Sequence, residues 1–67
     1  MINVKVNGEE RQLEDGTTVE DLLTLLEVKR SFLAVEKNET IVPRTSYEET
    51  RLVDGDKIEV VSLVGGG

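Results

Sequence analysis

The sequence predicts an α+β domain: a mixed sheet of four to five strands packed on one main helix. Three observations carry that expectation. The chain begins with alternating apolar residues followed by a two-residue turn signal, Asn7-Gly8. It contains one amphipathic helical stretch, beginning near Val19. It closes on an apolar strand, Lys57 to Val64, followed by Gly65-Gly66-Gly67. One helix with one apolar stripe needs a sheet to cover, and a sheet with one apolar face needs a helix.

The first strand is read from Ile2, Val4 and Val6 alternating with Asn3 and Lys5, the period of a half-buried strand. Asn7-Gly8 suits a type I′ turn, whose two central residues both need positive φ, so Glu9 to Leu13 returns antiparallel. Asp15-Gly16 breaks the strand. Thr18 with Asp21 resembles a capping box, the shorter aspartate taking the reaching-back role. Val19, Leu22, Leu23 and Leu26 fall at i, i+3, i+4 and i+7, one face of a helix of two to three turns. Lys29 and Arg30 are expected near its end, where cations complement the helix dipole.

Phe32 to Val35 reads as a third strand and Lys37-Asn38-Glu39 as a turn, with Asn38 suited to left-handed geometry. Thr40-Ile41-Val42 is a short strand stopped by Pro43, which cannot donate to a ladder. Arg44 to Thr50 has no clear period and is expected to form an irregular or single helical turn, with Tyr47 packed against the body. Asp54-Gly55 is another tight turn. The first hairpin and the last strand are the most apolar segments, so both are expected centrally. The chain between the first and last strands is ample for a crossover, which allows them to pair in parallel. That arrangement is the β-grasp, or ubiquitin-like, fold. Residues 1–64 are expected to form its single domain and residues 65–67 a flexible C-terminal glycine tail.

Composition narrows the function. Sixty-seven residues make one domain with a simple core and little room to enclose a substrate pocket, so a self-contained enzyme is not expected. There is neither Cys nor His, hence no disulfide, no thiol nucleophile, no thiolate metal site and no imidazole proton shuttle. Fourteen acidic against eight basic side chains give a formal charge of −6, which argues against a nucleic-acid partner and favours partners with a basic docking surface. No signal peptide is evident at Met1-Ile2-Asn3-Val4-Lys5, and no stretch nears the roughly 20 apolar residues of a membrane span. No membrane association is therefore expected, and a cytoplasmic location is.

The glycine run is the feature composition explains least. Glycine packs nothing and weakens any element it extends. Such a segment serves where a backbone must pass through a space too narrow for side chains, and three residues add on the order of 10 Å of reach at roughly 3.3–3.6 Å each. A terminal carboxyl on Gly67 is ionised at neutral pH and is the candidate functional group. A disordered chain end accounts for glycines equally well when the tail is taken alone. In the last strand, Ile58 and Val60 facing the helix would turn Glu59, Val61 and Leu63 outward; Val61 and Leu63, with Val64 next to the tail, are the candidate docking surface. Asp54 and Asp56 are ordinary turn chemistry rather than a metal pair, and no metal site is expected. Arg44 is a surface cation able to meet an acidic partner group.

Over its full length the chain resembles the ThiS family of ubiquitin-like sulfur carriers. The resembling segments are Val4-Lys5-Val6-Asn7-Gly8, Val19-Glu20-Asp21-Leu22-Leu23, Val35-Glu36-Lys37-Asn38, Ile41-Val42-Pro43-Arg44 with Tyr47, Leu52 to Val60, and Val64-Gly65-Gly66-Gly67. The resemblance implies a covalent carrier in thiamine biosynthesis and not a catalyst. An adenylating, E1-like activating enzyme using Mg-ATP would convert the carboxyl of Gly67 to an acyl-adenylate. A persulfide sulfur donor would then turn it into a thiocarboxylate, and thiazole synthase would take the sulfur. Gly65 and Gly66 would be the recognised tail, and no cofactor would be bound by the chain itself. The small subunit of molybdopterin synthase, another ubiquitin-like sulfur carrier or protein modifier, and a plain interaction module remain as alternatives.

Overall fold

The computed structural model describes residues 1–29 and 33–62. Its elements are β1 (Ile2–Val6), β2 (Glu9–Leu13), α1 (Val19–Leu26), β3 (Leu33–Lys37), β4 (Thr40–Val42), a 3₁₀ turn at Arg44–Ser46, and β5 (Lys57–Ser62). The sequence expectations for Arg30, Phe32, Leu63, Val64 and Gly65 to Gly67 lie outside the described residues.

The β1–β2 turn has φ of 51° at Asn7 and 86° at Gly8, the double positive φ that an Asn-Gly pair tolerates. It sets the register Val6↔Glu9 through Ile2↔Leu13. The β3–β4 hairpin uses the same device at Asn38 and Glu39, with φ of 52° and 68°. Asn38 was the expected left-handed residue. Glu39 joins it because a two-residue loop of this type needs both.

Helix α1 starts as its sequence indicates. The Thr18 hydroxyl accepts from the Asp21 N–H, and the Asp21 carboxylate accepts from the Thr18 N–H, both at 3.1 Å. The next orphan donors are also satisfied. The Val19 N–H reaches the Thr50 carbonyl at 2.9 Å, and the Glu20 N–H the Tyr47 carbonyl at 3.1 Å. The irregular segment after β4 therefore supplies the acceptors that a helix N-terminus lacks. The C-terminal end departs from the sequence reading. The helix stops at Leu26, with Glu27 left-handed at φ 56°, and no basic residue lies in its last turn. Lys29 is thus past the turn where a cation would meet the dipole. The left-handed cap, not charge, ends the helix.

The sheet order is β2-β1-β5-β3-β4, with β1 and β5 parallel and the other neighbours antiparallel. This is the β-grasp arrangement, with the last strand in the middle and the first beside it. The other half of the first hairpin, β2, is an edge strand rather than a central one. Four of its five residues are exposed and only Leu13 is buried, so a charged strand takes the place where solvent reaches it. The core lies between sheet and helix: Val4, Val6, Val35 and Ile58 from the sheet meet Val19, Leu22 and Leu23 from α1, closed at one side by Tyr47 and Leu52. Among the described residues only one sheet face is covered.

Candidate functional site

The candidate site is the C-terminal end of β5, the last described strand. β1 accompanies β5 only through the registered pairs Lys5↔Lys57 and Val6↔Ile58, because the chain turns at Asn7. The backbone N–H of Asn7 still donates to the Ile58 carbonyl at 2.9 Å. Its side chain then continues the ladder. Oδ1 accepts from the Val60 N–H at 2.8 Å, and Nδ2 faces the Val60 carbonyl at 3.4 Å. A side-chain amide has the same donor and acceptor as a peptide group, so Asn7 stands in for the next residue of β1. On the far side, β3 pairs with β5 out to Leu33↔Ser62.

A second turn asparagine holds the start of the strand. Asn38 Oδ1 accepts from the Lys57 N–H, and Asn38 Nδ2 donates to Asp56 Oδ1, both at 2.9 Å. Asp56 is buried, at 4% exposure. Its other oxygen accepts from the Val53 N–H at 2.8 Å, while Asp54 Oδ1 accepts from the Asn3 N–H at 2.7 Å. Asp56 thus braces the turn around Gly55, whereas Asp54 ties that turn to β1. Among the described residues no group of three potential metal ligands is present. The Asn-Gly dipeptide announces a hairpin but gives no sign that either turn asparagine reaches β5. Only the strand order brings Asn7 to Val60, across 53 residues of sequence.

Asn7→Gly keeps the positive φ and removes only the amide. We expect amide hydrogen exchange at Val60 to accelerate while that at Ile58 stays protected, with a stability loss of about 1–2 kcal/mol. Retained protection at Val60 would show that the side chain does not hold the strand.

The expected docking surface is reached only in part. Val61 is 45% exposed and faces away from the helix, whereas Val60 is half-buried against the core. Its partners in that expectation, Leu63 and Val64, lie outside the described residues, as do Gly65, Gly66 and Gly67. Ala34 stands beside Val61 across the β3–β5 pair. Arg44 is exposed on the short 3₁₀ turn that follows β4. Among the described residues no helix is long and apolar enough to cross a membrane.

Comparison with known proteins agrees with this architecture. The family model of the ThiS family matches residues 4–67. The sulfur carrier protein ThiS of Bacillus subtilis is 35% identical over 65 residues, an alignment covering 96% of this chain and 98% of that protein. A thiazole synthase of Paramagnetospirillum magneticum is 48% identical over 62 residues, covering 92% of this chain but 19% of that protein, so the chain spans about a fifth of that relative's length. The crystal structure of a thiamine biosynthesis protein (ThiS) from Geobacter metallireducens superposes with a TM-score of 0.84 at 30% identity, covering 98% of this chain and all of that one. With strand order, family match and near-complete coverage in agreement, the chain belongs to the ThiS family.

Proposed function

We propose that this chain is a sulfur carrier of thiamine biosynthesis, loaded at the carboxyl group of Gly67. The observation that carries the reading is family membership over residues 4–67, a span that includes the three glycines after β5. A bare carboxylate is a poor electrophile. An activating enzyme with Mg-ATP joins it to AMP and releases pyrophosphate, the partner's metal and cationic groups stabilising the phosphoryl charge. The terminal sulfur of a protein persulfide then attacks the acyl carbon and AMP leaves. A second thiol takes the donor's remaining sulfur as a disulfide and frees the thiocarboxylate. The chain itself acts as substrate and carrier, and with neither Cys nor His it supplies no thiol nucleophile and no imidazole proton shuttle.

Thiazole synthase is the proposed acceptor of the sulfur. Support comes from two relatives of that name, from Paramagnetospirillum magneticum and Magnetococcus marinus, in which this chain's counterpart makes up 19% and 20% of the protein. A carrier segment within the same polypeptide as the enzyme it serves has a high effective concentration. Val61 on the outer face of β5, together with Leu63 and Val64 in the sequence that follows, is the proposed docking surface, and Gly65 and Gly66 the segment that enters the partner's channel.

Intact mass spectrometry tests the reading. After incubation with the activating enzyme, ATP and a persulfide donor, the mass is expected to rise by one exchange of oxygen for sulfur. An unchanged mass beside a partner shown to be active would count against it.

A further inference from the structure

The helix covers one face of the sheet, and the other face carries an arrangement of charge that does not serve the isolated domain. β3 and β5 are in register with Glu36 directly opposite Glu59. The residues preceding and following them in the inward direction, Val35 and Val60, pack on the core, so alternation puts both glutamates on the open face. Both are half-buried. Like charges directly opposite across an antiparallel pair are destabilising. Neither glutamate forms an ion pair among the described residues. The neighbouring rank repeats the pattern with the other sign, Lys5 opposite Lys57. Alternating the signs would have given two cross-strand attractions from the same four residues. Instead the charges are sorted into a cationic rank and an anionic one.

The anionic rank is bordered by apolar surface. Ile41, at 67% exposure, lies opposite Glu36 on β4, and the next rank is Val61 beside Ala34. We propose that this open face docks a protein partner that seats an arginine between Glu36 and Glu59, its neighbouring apolar side chains resting on Val61 and Ile41. The cation is assigned by charge complementarity. Two carboxylates on adjacent strands accept from a planar guanidinium fork, which offers several donors at once, better than from the single point of an ammonium. The apolar border excludes water and strengthens the pairing. The proposal rests on the carrier reading only for the choice of partner proteins, since it names the chemistry of the surface they must present.

The test uses Glu36→Gln, Glu59→Gln and the double variant of the full chain, titrated calorimetrically against the activating enzyme and against thiazole synthase. Each single change is expected to weaken binding of at least one of these proteins about tenfold, and to flatten the salt dependence of that binding. The melting temperature is expected to hold or rise, because a repulsion has been removed. Unaltered binding of both proteins by the double variant overturns the proposal. So does a lowered melting temperature with no effect on binding, which would make the glutamates a structural pair. A second arm needs no partner: nuclear magnetic resonance titration with the blocked peptide Leu-Arg-Leu and its Leu-Lys-Leu counterpart. Amide shifts at Glu36, Glu59 and Val61 are expected with the arginine peptide in the native chain and not in the double variant. Equal shifts with both peptides, or shifts elsewhere, overturn the assignment of arginine. Thiocarboxylation of the double variant at saturating partner concentration should persist, so failure of the native chain to be loaded counts against the carrier reading alone.

Discussion

Removal of Gly66 and Gly67 is expected to abolish adenylation while leaving the melting temperature within a degree or two of the native value, an estimate that follows from glycine having no side chain to bury. Among the described residues eleven buried apolar side chains form the core, from Val4 to Ile58, all of them before the glycines. The loss should therefore fall on chemistry alone: the acyl group that accepts AMP would be displaced by two residues, on the order of 7 Å of reach. Gly66→Val should act almost as strongly, through a Cβ and two methyl groups in a channel sized for backbone. Pyrophosphate release measures adenylation, and a thermal melt measures the fold. Adenylation of either variant at the native rate would remove the narrow-channel argument and with it the reason for the glycines.

The second large effect separates the two faces of one strand. Ile58→Asp places a carboxylate at a position with no solvent exposure, between β1 and the helix. An unpaired charge there costs several kcal/mol, against a total stability that in small domains is roughly 5 kcal/mol. The variant is expected to lack a cooperative melt. Val61→Asp, on the opposite face and 45% exposed, should melt close to the native chain. Its binding to the activating enzyme or thiazole synthase is expected to weaken by about 1–3 kcal/mol if Val61 is an interface anchor. Calorimetry on the folded variant and circular dichroism on both give the comparison. A folded Val61→Asp chain that binds both proteins normally would move recognition away from this face.

Most of the fold was legible because each element carries its own local signal. Asn7-Gly8 sets a hairpin, Thr18 with Asp21 a helix start, and the spacing of Val19, Leu22 and Leu23 the buried stripe, each without reference to distant residues. The signals were weaker at ends decided by geometry. Lys29 was expected near the helix end to meet its dipole, but a left-handed Glu27, which no propensity favours, closes the helix at Leu26 and leaves Lys29 beyond the last turn. The edge position of β2 was in its composition, Glu9-Glu10-Arg11-Gln12, yet pairing it with an apolar first strand drew the whole hairpin inward. At the candidate site the legible part was the outward side of Val61; the reading of Gly65 to Gly67 lies outside the described residues. The asparagine supports of β5 and the facing glutamates were not legible, because both depend on which strands become neighbours. Glu36 and Glu59 are ordinary surface acids until the register sets them opposite each other.

The central position of β5 also governs when the domain can form. In the order β2-β1-β5-β3-β4, no hydrogen bond of the sheet joins the first hairpin to the second except through β5. Most of what can form earlier is local, two tight hairpins and one capped helix, with the Tyr47 and Thr50 carbonyls that meet the helix start as the longer-range exception. The bonds that unite them, such as Asn3 to Asp54 and Val60 to Asn7, span 51 and 53 residues, and contacts so distant in sequence set the pace of folding. During synthesis the two hairpins therefore wait for the last described strand. A chain interrupted before residue 57 has no continuous sheet and no open face on which the two glutamates meet. A partner that reads that face together with the residues following β5 thus distinguishes finished molecules from unfinished ones without any separate checkpoint.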